Sequence, residues 1–141
     1  MRRTTMILMM GAFLLALFVP EALAAESLAT SGCASVFSGT DGPDTLKGDH
    51  CDNNISGLRG DDVIYGYRGA DELYGNQDND RLYGGKGRDD LHGGRGNDRI
   101  YSGSLDGVRD RIVCGDGRDF ASIAENDYAA SDCETVVVSI E

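Results

Sequence analysis

The stretch that decides the fold spans residues 84–101 and reads GGKGRDDLHGGRGNDRIY. It holds two copies of a nine-residue repeat, with glycine at places one, two and four, aspartate at place six and an aliphatic residue at place eight. The same register runs through residues 39–101, where seven consecutive repeats begin at Gly39, Gly48, Gly57, Gly66, Gly75, Gly84 and Gly93. A fixed period of this length predicts an architecture in which each repeat packs on its neighbours.

Each repeat divides into a loop and a strand. Glycine permits positive φ and close backbone approach, so places one to six predict a tight loop. The last three places predict a very short strand whose middle residue faces inward. Two repeats then make one coil of 18 residues, and the predicted fold is an all-β parallel β-roll, a solenoid about six half-turns long. The inward residues would be Leu46, Ile55, Ile64, Leu73, Leu82, Leu91 and Ile100.

Carboxylates at place six define a candidate metal site. Alternate loops stack on one side of the roll, which predicts one row of Asp44, Asp62, Asp80 and Asp98 and another of Asn53, Asp71, Asp89 and Asp110. Carboxylates about 4.8 Å apart repel by roughly 3 kcal/mol at an effective dielectric near 20. Oxygen ligands without nitrogen or sulfur favour Ca²⁺. The pattern therefore predicts that calcium binding and folding are coupled.

The repeat Gly-Gly-x-Gly-x-Asp-x-aliphatic-x resembles the repeats-in-toxin, or hemolysin-type, calcium-binding repeat, closely over residues 39–101 and loosely over 102–122. The resemblance implies a parallel β-roll with Ca²⁺ between stacked loops. By position it implies the carboxylate ligands Asp44, Asp62, Asp71, Asp80, Asp89 and Asp98; Asp110 resumes the role after a three-residue slip. It also implies turns or carbonyl ligands at Gly60, Gly69, Gly85, Gly87, Gly94 and Gly96. Cys51, Asn53 and Asp78 depart from the pattern.

Residues 1–24 have the pattern of a signal peptide. Two arginines precede an uncharged, almost wholly apolar run of 14 residues, 6–19, and Ala22-Leu23-Ala24 fits the small-x-small cleavage rule. The run is shorter than the roughly 20 residues of a membrane span, although a retained anchor is the alternative. We therefore predict secretion, with no membrane span after the signal is removed. Proteins with similar repeats usually leave the cell through a C-terminal signal instead.

The remaining chain divides into a leader (25–38), the repeats (39–101) and a segment of degenerate repeat with a non-repeating C-terminal cap (102–141). Cleavage after residue 24 leaves 11 basic and 23 acidic residues, a net charge of −12. This acidic balance disfavours nucleic acid as a partner and suits a protein that binds cations. The β-prone run at residues 135–140 is expected to cover the last open edge.

Four cysteines allow three disulfide pairings. Cys33–Cys51 and Cys114–Cys133 are favoured because each would secure one end of the array, where a roll frays. Each would close a loop of about 20 residues, worth roughly 3 kcal/mol in the chain-entropy model. A zinc site is the alternative, although no Cys-x-x-Cys spacing supports it.

No nucleophile, phosphate-loop or zinc-protease motif occurs, so we expect no catalytic residues and no enzyme. Place nine carries Tyr65, Tyr83 and Tyr101, which should stack on one sheet to cover its backbone. Two other roles remain open. One is a calcium-dependent adhesion or matrix protein that binds glycans or its own copies through such a face. The other is a hydrolase with an unfamiliar site within residues 102–141.

Overall fold

A computed structural model describes Cys33 and residues 35–103 and 106–139. The predicted signal peptide lies outside the described residues. Strands account for the regular structure of the described part: β1 (Val36–Ser38), β2 (Thr45–Lys47), β3 (Asn54–Arg59), β4 (Val63–Arg68), β5 (Glu72–Gln77), β6 (Arg81–Lys86), β7 (Asp90–Arg95), β8 (Arg99–Gly103), β9 (Arg111–Asp116), β10 (Phe120–Ala124), β11 (Tyr128–Ala129) and β12 (Thr135–Ser139).

The strands alternate between two parallel sheets. The first sheet has the order β1-β3-β5-β7-β9-β11, and the second has the order β12-β10-β8-β6-β4-β2. Consecutive strands of the chain therefore lie in opposite sheets, and each pair of strands is one full coil. This is the parallel β-roll that the nine-residue period predicts, and the all-β fold class is confirmed.

The register shows how the repeats stack. Leu73 lies beside Leu91 across an offset of 18 residues, which is two nonapeptides. Leu91 lies beside Ile112, an offset of 21, so the coil absorbs the three-residue slip and returns to register. The resumption of the repeat after Tyr101 is therefore real in the structure as well as in the sequence.

Two details of the prediction are wrong. The roll has about six full coils rather than six half-turns, because β1 and β9–β12 extend the stack beyond the seven nonapeptides. The strands are also longer than three residues: β3 to β7 each span six. Pairing continues past the place-one glycine, as in Leu58 beside Asn76 and Arg59 beside Gln77, so part of each loop belongs to the ladder.

The core is a single file of aliphatic side chains between the two sheets. The place-eight residues are completely buried from Ile55 to Ile100, and Ile112 continues the file. Leu46, at the N-terminal end, is only partly buried. Burying one such side chain contributes about 1.5–3 kcal/mol. One residue per half-coil makes a thin core, so other interactions have to support the loops.

The C-terminal run forms β12, a strand that follows β10 in the second sheet. β12 pairs with β10 and ends the second sheet as its edge strand. Val136, Val137 and Val138 are each 41–48% exposed. No helix in the described ranges is long and apolar enough to cross a membrane.

Candidate metal centres

The place-six side chains lie buried inside the loops, immediately before each strand. Asp62, Asp71, Asp80, Asp89 and Asp98 are each 1% exposed. They form two rows because alternate loops stack on the same side of the roll. We call Asp44, Asp62, Asp80, Asp98 and Asp119 the first row, and Asn53, Asp71, Asp89, Asp110 and Asp127 the second row.

Apart from Asp44, each carboxylate of the rows accepts a backbone N–H from the preceding coil through its Oδ1 atom. In the first row, Asp44 donates its backbone N–H to Oδ1 of Asp62 (2.8 Å), and Asp62 donates to Oδ1 of Asp80 (2.9 Å). The row continues through Asp98 to Asp119, both at 2.8 Å. The second row repeats the bond from Asn53 through Asp71, Asp89 and Asp110 to Asp127. The carboxylates therefore hold the spacing of the coils.

The other oxygen of most of these carboxylates lacks a partner. Among the described residues, six carboxylates have a buried Oδ2 atom without any hydrogen bond: Asp62, Asp71, Asp80, Asp89, Asp98 and Asp119. A buried polar atom without a partner costs about 1–3 kcal/mol, and more when it is charged. Six equivalent oxygens in register form a set of donors that fits divalent cations such as Ca²⁺.

Backbone carbonyls share the space with these oxygens. A Cβ atom added at Gly57 would collide with Oδ2 of Asp62 and with the carbonyl oxygen of Gly75 in the next coil. Gly75 has the same two kinds of neighbour, Asp80 and Gly93. The place-one glycine therefore leaves room in which one carboxylate oxygen and one carbonyl oxygen converge. Hard oxygen donors of this kind fit Ca²⁺.

The six glycines singled out in the sequence all have positive φ, between 105° and 146°. They are Gly60, Gly69, Gly85, Gly87, Gly94 and Gly96. At Gly87 the requirement is also steric, because an added Cβ would overlap the carbonyl oxygen of Gly69. Glycine at place four of the repeat therefore lets the backbone of one coil lie close to a carbonyl group of the neighbouring coil.

Burial raises the pKa of the row carboxylates. Loss of water raises the pKa of Asp71 and Asp98 to about 6 and that of Asp80, Asp89 and Asp110 to about 7. Backbone N–H donors oppose this effect, and neighbouring carboxylates add to it. At neutral pH the ionised rows are therefore costly unless a cation replaces the lost water.

The N-terminal end of each row differs from its middle. Oδ2 of Asp44 accepts hydrogen bonds from the Thr40 backbone N–H (2.6 Å) and the Thr40 hydroxyl (2.9 Å). Oδ1 of Asn53 accepts the backbone N–H of Asp49 (2.8 Å). These loops supply donors from the protein where the inner loops do not.

Three acidic residues of the C-terminal end were missed by the sequence reasoning. Oδ1 of Asp119 continues the first row, its Oδ2 is unpartnered, and its backbone N–H is accepted by Glu134 (2.8 Å). Asp127 ends the second row. The signal for Asp119 is present in the sequence, since Gly115, Gly117 and Asp119 keep the spacing of places two, four and six of the repeat. The three-residue slip after Tyr101 obscures this register in the sequence.

Both expected disulfides are present. Cys33–Cys51 lies at the N-terminal end of the roll and Cys114–Cys133 at the C-terminal end, with Cα–Cα distances of 5.7 Å and 5.1 Å. The two disulfides thus crosslink the two ends of the array. All four described cysteines are in disulfide bonds.

Tyr65, Tyr83 and Tyr101, at place nine of alternate repeats, form a row on the second sheet. The rings of Tyr65 and Tyr83 stack at 4.8 Å, as do those of Tyr83 and Tyr101. On the first sheet, Tyr74 stacks on His92 at 4.9 Å. Because the ring faces lie against one another, the geometry favours the interpretation that the row covers and stabilises the sheet.

The fold and the loops define a class: a parallel β-roll whose stacked glycine and aspartate loops suit divalent cations. The comparison with protein families agrees. The family described as RTX calcium-binding nonapeptide repeat (4 copies) matches residues 36–64, 52–82 and 74–108, which together cover more than half of the chain. The chain therefore belongs to the RTX calcium-binding nonapeptide repeat family. No curated protein and no solved structure matches it.

Proposed function

We propose that this protein is a secreted, non-enzymatic calcium-binding module that folds as a β-roll when several Ca²⁺ ions bind between its stacked loops. The observation that carries the proposal is the set of six buried Oδ2 atoms without partners. Each belongs to a carboxylate whose Oδ1 atom already accepts a backbone N–H. That hydrogen bond fixes the position of the free Oδ2 atom.

The ligands we assign are the six carboxylates with a free Oδ2 atom, supported by carbonyl oxygens of the glycine loops. The first row provides Asp62, Asp80, Asp98 and Asp119, and the second row provides Asp71 and Asp89. Asp110 stays a candidate at the C-terminal end of the second row. Asp44 is a weaker candidate than the sequence suggested, because Thr40 already supplies two donors to its Oδ2 atom.

Coupling between binding and folding follows from the balance of forces in the roll. The core provides one aliphatic side chain per half-coil, while the buried rows bring ionised carboxylates together. A bound divalent cation neutralises the rows and supplies oxygen coordination to the loops. Without the cation, electrostatic repulsion between the ionised carboxylates opposes the stacking of the coils.

Secretion is supported by the predicted signal peptide and by the two disulfides, which form in oxidising compartments. Repeats of this family are typically structural rather than catalytic, which supports a role without enzymatic chemistry. The calcium-rich medium outside a cell would then act as the folding signal.

Calorimetric titration of the purified chain 25–141 with CaCl₂ tests the proposal. We expect several equivalents of Ca²⁺ to bind, with much weaker binding of Mg²⁺, because Mg²⁺ demands a more rigid octahedral site. A chain without measurable Ca²⁺ binding would contradict the proposal. Binding of only one equivalent would contradict the assignment to two rows.

A further inference from the structure

Ligating side chains of another kind meet at the N-terminal end of the roll. Within the described residues, the Sγ atoms of Cys33 and Cys51 and a ring nitrogen of His50 lie within 4.8 Å of one another. Cys33 and His50 are exposed, and Cys51 is half-buried. Two sulfurs and an imidazole are softer ligands than the oxygens of the other loops, and they suit a different metal.

The loop that carries this cluster is also the one that departs most from the repeat. In residues 48–53, Cys51 replaces the place-four glycine and Asn53 replaces the place-six aspartate. The Asn53 amide oxygen is engaged by Asp49, whose own carboxylate accepts the Cys51 backbone N–H at 2.8 Å. The loop has therefore lost a carboxylate ligand for Ca²⁺ and gained a sulfur held on an ordered backbone.

We propose that, after reduction of the Cys33–Cys51 bond, Cys33, Cys51 and His50 bind one thiophilic d¹⁰ cation, for which Zn²⁺ is the reference ion. The two electrons and two protons of the reduction come from a dithiol, which becomes a disulfide. Zn²⁺ then displaces one proton from each thiol and is held by two thiolates and one imidazole nitrogen. Solvent completes the tetrahedral coordination.

The backbone geometry permits this exchange. Tetrahedral Zn²⁺ with Zn–S bonds of about 2.3 Å places two sulfurs about 3.8 Å apart. The Cα atoms of Cys33 and Cys51 are 5.7 Å apart, so rotation about the Cα–Cβ bonds can separate the sulfurs by that amount. The metal would then replace the disulfide as the link between the start of β1 and the loop before β3.

The second disulfide provides an internal comparison. Cys114 is completely buried in the core. Among the described residues, the Cys114–Cys133 pair does not form part of any cluster of three possible metal ligands. The described residues therefore contain one partly exposed disulfide beside a histidine and a second disulfide outside any such cluster.

The test uses the reduced chain in saturating CaCl₂, with circular dichroism to verify the roll and Co²⁺ as a spectroscopic probe displaced by Zn²⁺. We expect one equivalent of Co²⁺ with a thiolate charge-transfer band and tetrahedral d–d bands. His50→Ala should lower the Zn²⁺ affinity at least about tenfold, whereas His92→Ala should leave it unchanged. The oxidised chain and the reduced Cys33→Ser/Cys51→Ser variant should both fail to bind.

Alkylation with iodoacetamide provides a readout that does not require the reduced chain to keep its complete fold. Zn²⁺ should protect Cys33 and Cys51, located by peptide mapping, more than Cys114 and Cys133. Equal protection of all four cysteines would overturn the proposal. So would the absence of Zn²⁺ binding, or equal affinity of the wild-type and His50→Ala chains.

Discussion

The carboxylate of Asp80 is divided between two roles: its Oδ1 atom accepts the backbone N–H of Asp62, 2.9 Å away and 18 residues earlier, and its buried Oδ2 atom has no partner. The first contact sets the spacing between coils. The second atom remains for a ligand. Because Asp62 and Asp98 repeat the arrangement, structure and binding depend on the same side chains.

Adjacent aspartates allow a matched test of the buried oxygen. Asp62 is buried with a free Oδ2 atom, whereas Asp61 is exposed and accepts hydrogen bonds from Asn79. Asparagine keeps an Oδ1 acceptor in both cases and removes one negative charge. We expect Asp62→Asn to lower Ca²⁺ affinity at least about tenfold and Asp61→Asn to lower it less than about twofold. Equal losses by calorimetry would contradict the assigned register.

The raised pKa values predict opposite effects of pH with and without calcium. The folded-state pKa of Asp80, Asp89 and Asp110 is about 7, above the ordinary value of 3.8. Protonation therefore favours the folded chain, and the stability of the calcium-free roll should fall as pH rises from about 4 to about 7. Calcium affinity should rise over the same range as protons leave the ligands. The β-structure of the calcium-free chain, measured by circular dichroism across this range, checks the sign; β-structure that increases with pH would contradict it.

The second place of the repeat that begins at Gly57, occupied by Leu58, allows a stabilising substitution. Leu58 has φ of +83° and is partly exposed, whereas glycine holds this place at Gly85, with φ of +115°. A left-handed conformation costs a non-glycine residue about 1–2 kcal/mol, which exceeds the entropy cost of glycine in the unfolded chain. We expect Leu58→Gly to stabilise the calcium-bound roll by about 0.5–1 kcal/mol.

The reciprocal change is the control for that prediction. Gly85→Ala should destabilise the roll, because its Cβ would collide with the carbonyl oxygen of Tyr67. Urea unfolding in saturating calcium measures both variants. A destabilised Leu58→Gly chain would show that the Leu58 side chain contributes more than its backbone strain costs.

Asp119 should act as a calcium ligand although it lies outside the regular repeats. Its Oδ1 atom accepts the Asp98 N–H, and its Oδ2 atom is buried without a partner. Asp119→Asn should therefore weaken binding at the C-terminal end of the first row, with a smaller calorimetric stoichiometry or a weaker last equivalent. Asp116→Asn, at an exposed position three residues earlier, should leave the titration unchanged; the same loss in both variants would point to net charge alone.

The regular part of the structure could be predicted from spacing. A period of nine fixes which side chains face inward, and an offset of 18 fixes which aspartates are neighbours, so Leu73 beside Leu91 and Asp71 beside Asp89 follow from counting. The disulfides could be predicted for a related reason: only short-range pairs fit the ends of a stacked array.

Contacts that depend on the position of individual atoms could not be predicted from the repeat period. The offset between β10 and β12 is 15 residues rather than 18, so Glu134 could not be matched with Asp119 by counting. The sequence treats Asp44 and Asp62 alike, yet Thr40 engages Oδ2 of Asp44 and no protein donor reaches that atom of Asp62. The difference arises at place two of the repeat, where Thr40 donates both its backbone N–H and its hydroxyl to Oδ2 of Asp44.

Far-ultraviolet circular dichroism of chain 25–141 during a calcium titration tests the central claim most directly. The account predicts a largely disordered spectrum in chelator, apart from residual structure near the two disulfides. It predicts a cooperative gain of β-structure as calcium is added, reversed by chelator. A chelated chain with the same β-spectrum as the calcium-saturated chain would contradict the claim that calcium binding and folding are coupled.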